Sequence, residues 1–359
     1  MSEPPHPEAR ELVLAHGWNA TSYQILNPGI AHWFSSGGDA VVGYADHAGV
    51  RVVAGAPVAS ADRLAEVVSE FEASAAAEGK SVCYFCAEDR LGRLLGPRRS
   101  HALVLLGAQP SWDPAGWAER IAARPSVRAQ LARARRKGVV VTEEATQAAE
   151  RDAGIEDCLT RWLATRGLPP LHFLVEPETL GNLRDRRIFV ARRSGGTAGF
   201  LVASPIPARR GWLVEQFVRA PDAPNGTVEL MIDAALTALA RDGARYVSLG
   251  LAPLARRSDP LPGSQPPAWL RLLLGWMRAH GRRFFDFRGL EEFKAKFAPA
   301  AWEPVVAICN GPAVTPRPVY AIAAAFTGGQ PMRTLARGLA RAAGRELGIG
   351  SASGRRAGR

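Results

Sequence analysis

The sequence predicts an open, mostly antiparallel α/β fold (α+β in its connections) arranged as two lobes. Strand-like runs follow one another through short turns in hairpin order, and each group leads into an amphipathic helix and one further strand. This order occurs twice, although the residues themselves do not repeat. At 359 residues, 47% hydrophobic and 22% charged, the chain can bury two ordinary cores.

In chain order, Leu12–Phe34 reads as a short helix and then irregular, aromatic-rich structure around Asn-Pro-Gly. Ala40–Ala45 and Val50–Gly55 form a hairpin across Asp46-His47-Ala48-Gly49. Ala61–Gly79 is a helix with Leu64, Val67, Val68 and Phe71 on one face. Ser81–Ala87 and Ala102–Gln109 are strands. Trp117–Gly138 reads as one basic helix ending at a glycine, and Val139–Thr142 as a short strand. Glu150–Arg166 is helical. Arg187–Arg192, Thr197–Pro205 and Trp212–Val218 are three hairpin-ordered strands. Helix Thr227–Asp242, strand Tyr246–Leu251, helix Ala268–His280, a shorter helix and strand Val305–Ile308 complete the pattern. The expected division is a first lobe 1–116, a connecting helix 117–138, a second, catalytic lobe 139–311, and a basic tail 312–359 that is amphipathic or disordered.

The formal net charge of +11 is concentrated. Glu119–Lys137 holds seven basic residues against one acid, and Pro312–Arg359 holds eight arginines against Glu346. Blocks of this kind suit a polyanion or an anionic bilayer, or else a solvated arginine-rich surface. In the tail, Arg333, Arg337, Arg341 and Arg345 recur every fourth residue beside Leu335 and Leu339, the pattern of an interfacial helix. No apolar run reaches the roughly 18–20 residues of a membrane span, and the start lacks a signal-peptide pattern. The expectation is a cytoplasmic protein, peripheral at most to the inner membrane face.

Four cysteines exclude a disulfide scaffold. Cys83 and Cys86 are a C-x-x-C inside a strand, where positions three apart face opposite sides. Cys158 and Cys309 stand alone, and the seven histidines lack metal-ligand spacing, so no metal is expected. Neither a nucleophile elbow nor a phosphate-binding G-x-x-x-x-G-K-[ST] loop occurs.

Three segments stand out. WLVEQFVRAPDAPNGT, residues 212–227, places Glu215 in an apolar strand and Arg219, Asp222, Asn225 and Gly226 in a loop opening a helix. Exposed N–H groups there would hold an anion. Ser248 and Gly250 lie in SLGLAP, whose small residues permit close approach of a substrate or a neighbouring strand. FFDFRGLEEFKAKFAPAAWEP, residues 284–304, sets Arg288, Lys294 and Lys296 among aromatics, a platform for a nucleotide or phosphate.

In this order and spacing, RAPDAPNGTVELM, YVSLGLAPLA and the run from WLRLLLGW to AAWEP resemble the C-terminal domain of the phosphatidylglycerol lysyl- and alanyltransferases. These are the multiple peptide resistance factors. SVRAQLARARRKG resembles the family's basic helix, and the likeness spans about residues 10–311. It implies tandem acetyltransferase-like (GNAT-like) lobes that take aminoacyl-tRNA as co-substrate, with no cofactor. The acceptor is a hydroxyl of an anionic lipid at the membrane surface, and no protein partner is implied. On that reading Glu215 meets the aminoacyl ammonium and Asp222 orients it or the hydroxyl. Arg219 and Arg288 face phosphate, and Lys294 or Lys296 stabilises the oxyanion or holds the terminal phosphate. Arg128, Arg133, Arg135, Arg136 and Lys137 follow the tRNA acceptor stem. The family's many membrane helices have no counterpart in this sequence. Two other readings are an acyl-CoA-dependent N-acyltransferase and a non-catalytic lipid- or RNA-binding module.

Overall fold

The computed structural model describes residues 6–96, 100–166, 171–177, 179–280, 286–334 and 336. The first half runs α1 (Pro7–His16), a 3-10 turn (Tyr23–Leu26), β1 (Ala31–Phe34), β2 (Val41–His47), β3 (Val50–Ala54), α2 (Leu64–Ala77), β4 (Ser81–Ala87), α3 (Asp89–Leu95) and β5 (His101–Trp112). Then come α4 (Trp117–Ala122), α5 (Pro125–Arg136), β6 (Val140–Glu144), α6 (Thr146–Ala149), α7 (Ala153–Ala164), β7 (Arg187–Arg193), β8 (Gly196–Ile206) and β9 (Gly211–Arg219). The chain closes with α8 (Thr227–Arg241), β10 (Tyr246–Ser248), β11 (Ala252–Pro253), α9 (Ala268–His280), α10 (Phe287–Ala295), β12 (Ala301–Asn310) and α11 (Pro316–Phe326).

Among the described residues the strands join one 12-stranded sheet in the order β1-β2-β3-β4-β12-β5-β10-β9-β8-β7-β6, with β11 paired to β5. The same unit occurs twice. In the first lobe the β2–β3 hairpin leads through α2 to β4, parallel to β3; in the second the β8–β9 hairpin leads through α8 to β10, parallel to β9. The next strand in each lobe comes from the other half of the chain. β12 pairs antiparallel with β4, β5 pairs antiparallel with β10, and β5 and β12 pair with each other from Ala301↔Ser111 to Asn310↔His101. The result is a mostly antiparallel open α/β sheet built from two like units, as the sequence predicts.

Apolar faces at strand and helix spacing account for the layers. Val67, Val68, Phe71 and Ala75 of α2 bury against Val42, Val53, Val82 and Tyr84 of the first lobe. Leu230, Met231, Ala235 and Leu239 of α8 bury against Phe189, Leu201 and Val214 of the second. Trp112 and Trp117 meet edge to face at 6.1 Å, and Trp117 stacks on Phe297 at 6.0 Å, tying the exchanged strand to the second lobe.

Several boundaries differ from expectation. The basic segment 117–138 is two helices, because Pro125 removes a backbone donor and forces Arg124 out of the helical region (φ −120°, ψ 85°). The strand expected at 246–251 stops at Ser248, where Gly250 takes a positive φ of 71°. Cys83 and Cys86 do not face opposite sides. Cys86 has φ 62°, the β4–β12 register shifts nearby, and both cysteines enter one core. The segment 312–359 begins with a packed helix, α11, whose Ala321 and Ala325 are buried in the first-lobe core. Of the arginine stripe, Arg333 is described, while Arg337, Arg341 and Arg345 lie outside the described residues. Among the described residues no helix is long and apolar enough to cross a membrane.

Candidate active site at the opened strand pair

β9 and β10 are paired over only three positions, Tyr246↔Gly211 to Ser248↔Leu213, and β9 then continues to Arg219 paired with β8 on its other edge only. Ser248 fixes the departure of the chain: its hydroxyl donates to the Pro110 carbonyl and accepts from the Gly250 N–H, both at 3.0 Å. α10 borders the opening. Its start is capped by Asp286, which accepts from the Gly289 N–H at 2.9 Å, and Phe293 packs on Phe217 of β9 at 5.7 Å.

From α10, Lys294 reaches inward and donates to the Gly250 carbonyl at 2.9 Å and the Leu251 carbonyl at 2.8 Å. It is 3% exposed, and no carboxylate lies in ion-pair range of it among the described residues. Burial therefore pushes its pKa down to about 7. A lysine in this state exchanges protons near neutrality.

Glu215 occupies a β-bulge. Val202 pairs with Gln216 and Ala203 with Val214, so Glu215 is the extra residue of β9. Glu215 and Gln216 both reach the segment 177–186. Glu215 Oε1 accepts from Arg186 Nε at 2.5 Å, and Gln216 accepts from the Thr179 hydroxyl at 2.6 Å and donates to the Pro177 carbonyl. The Arg186 and Glu215 side chains are 2% and 9% exposed. Arg186 also lies over the Tyr23 ring at 4.7 Å and donates to the Asn182 carbonyl at 2.6 Å. Burial lowers its pKa, but the Glu215 charge and hydrogen bond more than offset this.

The other lobe completes this cluster. Gln24, on the 3-10 turn, donates to Glu215 Oε2 at 2.5 Å and to the Ser204 hydroxyl at 2.8 Å. Its own Oε1 is buried without a partner. The arrangement is a buried, polar, charge-compensated cluster with one unsatisfied acceptor, built from both lobes.

The remaining sequence candidates are dispersed. Asp222 is 78% exposed and pairs with Arg161 at 3.1 Å; Arg288 is 82% exposed and pairs with Glu292 at 2.9 Å. Arg219 donates to the Asn225 side chain at 3.1 Å. Lys296 pairs with Glu229 of α8 at 2.6 Å and lies over Phe293 at 3.9 Å. The start of α8, expected to expose N–H groups to an anion, is covered. Gly226, at φ 94°, lies against α5 so closely that an added Cβ would stand 2.2 Å from the Gln130 carbonyl oxygen. On α5, Val127, Leu131 and Ala134 are buried, whereas Arg128, Arg133, Arg135, Arg136 and the following Lys137 are all exposed. Arg135 also pairs with Asp233 at 3.1 Å, beside a groove of about 580 Å³ between α5, β6 and α8.

Sequence reasoning missed Arg186 and Gln24. Arg186 is one of many arginines and gains meaning only through a partner 29 positions away, and Gln24 lies 191 positions from Glu215. The one available signal was an uncharged polar residue within the apolar run Tyr23–Leu26. Among the described residues no group of three or more His, Cys, Asp or Glu side chains is placed to hold a metal ion.

The fold and this site can be set beside known proteins. Among solved structures, the C-terminal domain of a candidate lysylphosphatidylglycerol synthetase from Agrobacterium fabrum superposes with a TM-score of 0.75 at 19% identity, covering 90% of this chain and 96% of that one. L-PGS from Bacillus licheniformis gives 0.74 at 20% identity, covering 90% and 97%. FemX gives 0.51 at 9% identity, covering 89% and 99%. No curated protein matches. The sequence profile described as phosphatidylglycerol lysyltransferase, C-terminal, matches residues 10–308, a span that includes Gln24, Arg186, Glu215 and Lys294, and the chain belongs to that family.

Proposed function

We propose that this protein is an aminoacyltransferase that moves an amino acid from aminoacyl-tRNA to a hydroxyl of an anionic phospholipid such as phosphatidylglycerol, at the cytoplasmic membrane face. The family match over residues 10–308 carries this reading. The site supplies suitable chemistry. An aminoacyl ester is already reactive, so positioning and a well-placed proton acceptor provide most of the acceleration.

In this reading the lipid hydroxyl oxygen attacks the ester carbonyl carbon and its proton passes to Lys294. A neutral Lys294 uses both N–H groups on the Gly250 and Leu251 carbonyls and keeps its lone pair for that proton. The bond to the ribose oxygen then breaks, and the ribose oxygen takes the proton. No covalent enzyme intermediate and no cofactor are needed. The aminoacyl ammonium binds Glu215 and the unpartnered Gln24 Oε1, once the Tyr23–Leu26 turn draws back from β9. Asp222 would help orient the ammonium or the hydroxyl, and Arg219, Arg288 and Lys296 would meet phosphate only after leaving the partners they hold here. The exposed residues of α5 and Lys137 hold the acceptor stem through its backbone. An acyl-CoA donor is less well served, because α5 covers the helix start at Gly226 that would seat a pyrophosphate.

The test uses the full chain with radiolabelled aminoacyl-tRNA and phosphatidylglycerol vesicles. Label should enter the lipid phase. Transfer from acyl-CoA with none from aminoacyl-tRNA would overturn the proposal. Replacing Arg133, Arg135 and Arg136 together by Glu should weaken tRNA binding and flatten its salt dependence. An unchanged salt slope would remove α5 from the tRNA interface.

A further inference from the structure

α9 carries an apolar stripe that the fold leaves in water. Leu270 is 4% exposed and Leu274 packs against the first-lobe core, so that side of the helix is held by the protein. On the other side Trp269, Leu272, Leu273 and Trp276 are 37%, 74%, 38% and 58% exposed. Their spacing of i, i+3, i+4 and i+7 confines them to an arc of about 100°. Four of the nine large apolar side chains exposed among the described residues therefore share one helix face.

The segment that carries this face has basic residues and no acidic ones. From Pro260 to Phe285 the sequence contains four arginines and no Asp or Glu. Within α9, Arg271 is exposed, and Arg278 is turned inward to the Leu254 carbonyl and Glu291. Tryptophans at both ends of a leucine stripe, in a basic and acid-free segment, suit the boundary between acyl chains and anionic headgroups.

We infer that α9 is the element by which this protein docks on an anionic phospholipid bilayer, its Trp269–Trp276 stripe lying in the interface. This rests on the reading that the acceptor is a membrane lipid. It transfers the membrane role from the arginine-rich tail to a helix packed against the core. The same segment leads into α10, which carries Lys294, so docking would hold the opened strand pair close to the headgroups.

The experiment is flotation of the full chain with vesicles of phosphatidylglycerol and phosphatidylcholine in equal parts, against phosphatidylcholine alone. Wild type should float with the anionic vesicles and show a blue-shifted tryptophan emission. Leu272→Glu with Leu273→Glu should weaken binding about tenfold or more at an unchanged melting temperature. Undiminished binding by this variant would overturn the inference. So would a wild-type dimer, dispersed by the variant, with no vesicle binding, which would make the stripe a contact between two copies. Transfer assays separate this claim from the function on which it rests. The variant should lose transfer to vesicle lipid and keep transfer to a water-soluble short-chain phosphatidylglycerol. Wild-type binding with no transfer to either acceptor would overturn the functional reading while leaving α9 as the docking helix.

Discussion

The two lobes build the same strand–helix–strand unit and finish it differently. In the first, β3 and β4 stay paired along all of β3, from Val50↔Ser81 to Ala54↔Phe85, and the Gly55 N–H still reaches the Phe85 carbonyl at 2.7 Å. In the second, pairing stops after Ser248↔Leu213, and six further residues of β9 run on without β10. The closed pair is mostly apolar, with Arg51 its one charged residue. In the second lobe the stretch of β9 beyond β10 carries Glu215 and Gln216, the former paired with Arg186, and Lys294 binds the backbone where β10 turns away. A sheet that separates leaves backbone groups to satisfy, and here a lysine satisfies two of them. The departure from regular pairing is what places a proton-exchanging amine inside the protein.

The comparison can be tested from its strongest consequence downward. Lys294→Met should reduce transfer by about 100-fold or more, with melting temperature measured alongside to show that the fold persists. Retained activity would leave the opened pair without its proton carrier.

Next comes the bulge. Glu215→Gln leaves Arg186 buried without a counter-charge, and should cost about 3–5 kcal/mol in denaturant unfolding. The pair Arg186→Met with Glu215→Leu should recover most of that loss. Simple addition of the two single effects would show that the ion pair is not the coupled unit seen here.

The smallest effect belongs to the closed lobe. Glu88, just after β4, accepts from the Ala20 N–H at 2.5 Å and pairs with Arg209 at 3.1 Å, yet burial pushes its pKa up to about 7. The folded chain then holds this proton more tightly than the unfolded chain, whose value is about 4.3. Its stabilising contribution is present at low pH and is lost as pH rises through 7. Glu88→Gln should flatten the melting temperature between about pH 5 and 7 and leave transfer unchanged.

Much of this architecture was legible from period and turn chemistry. The Ala48-Gly49 hairpin, the α2 and α8 faces and the bounds of α9 all follow from local patterns. Glu215 was legible as an acid in an apolar strand, and Lys294 as a base among aromatics. The exchange of β5 and β12 was not, because pairing between residues about 190 positions apart leaves no local trace, for example Ala301↔Ser111. The bulge at Glu215 was hidden for the same reason, since only the register against β8 shows the extra residue. The break at Pro125 could have been read, but the density of arginines on either side suggested one continuous helix. The open anion seat at Gly226 failed because α5 packs over it, a tertiary event that a strand–loop–helix pattern does not encode.

The central claim is that the opened strand pair of the second lobe holds the proton acceptor of the transfer reaction. The direct measurement is the pH dependence of single-turnover transfer in wild type and in Lys294→Arg, which retains a cation but cannot lose its proton near neutrality. Wild type should gain rate through an inflection near pH 7, where burial has set the Lys294 amine, and the variant should be slow with no inflection there. The same inflection in both proteins would contradict the account.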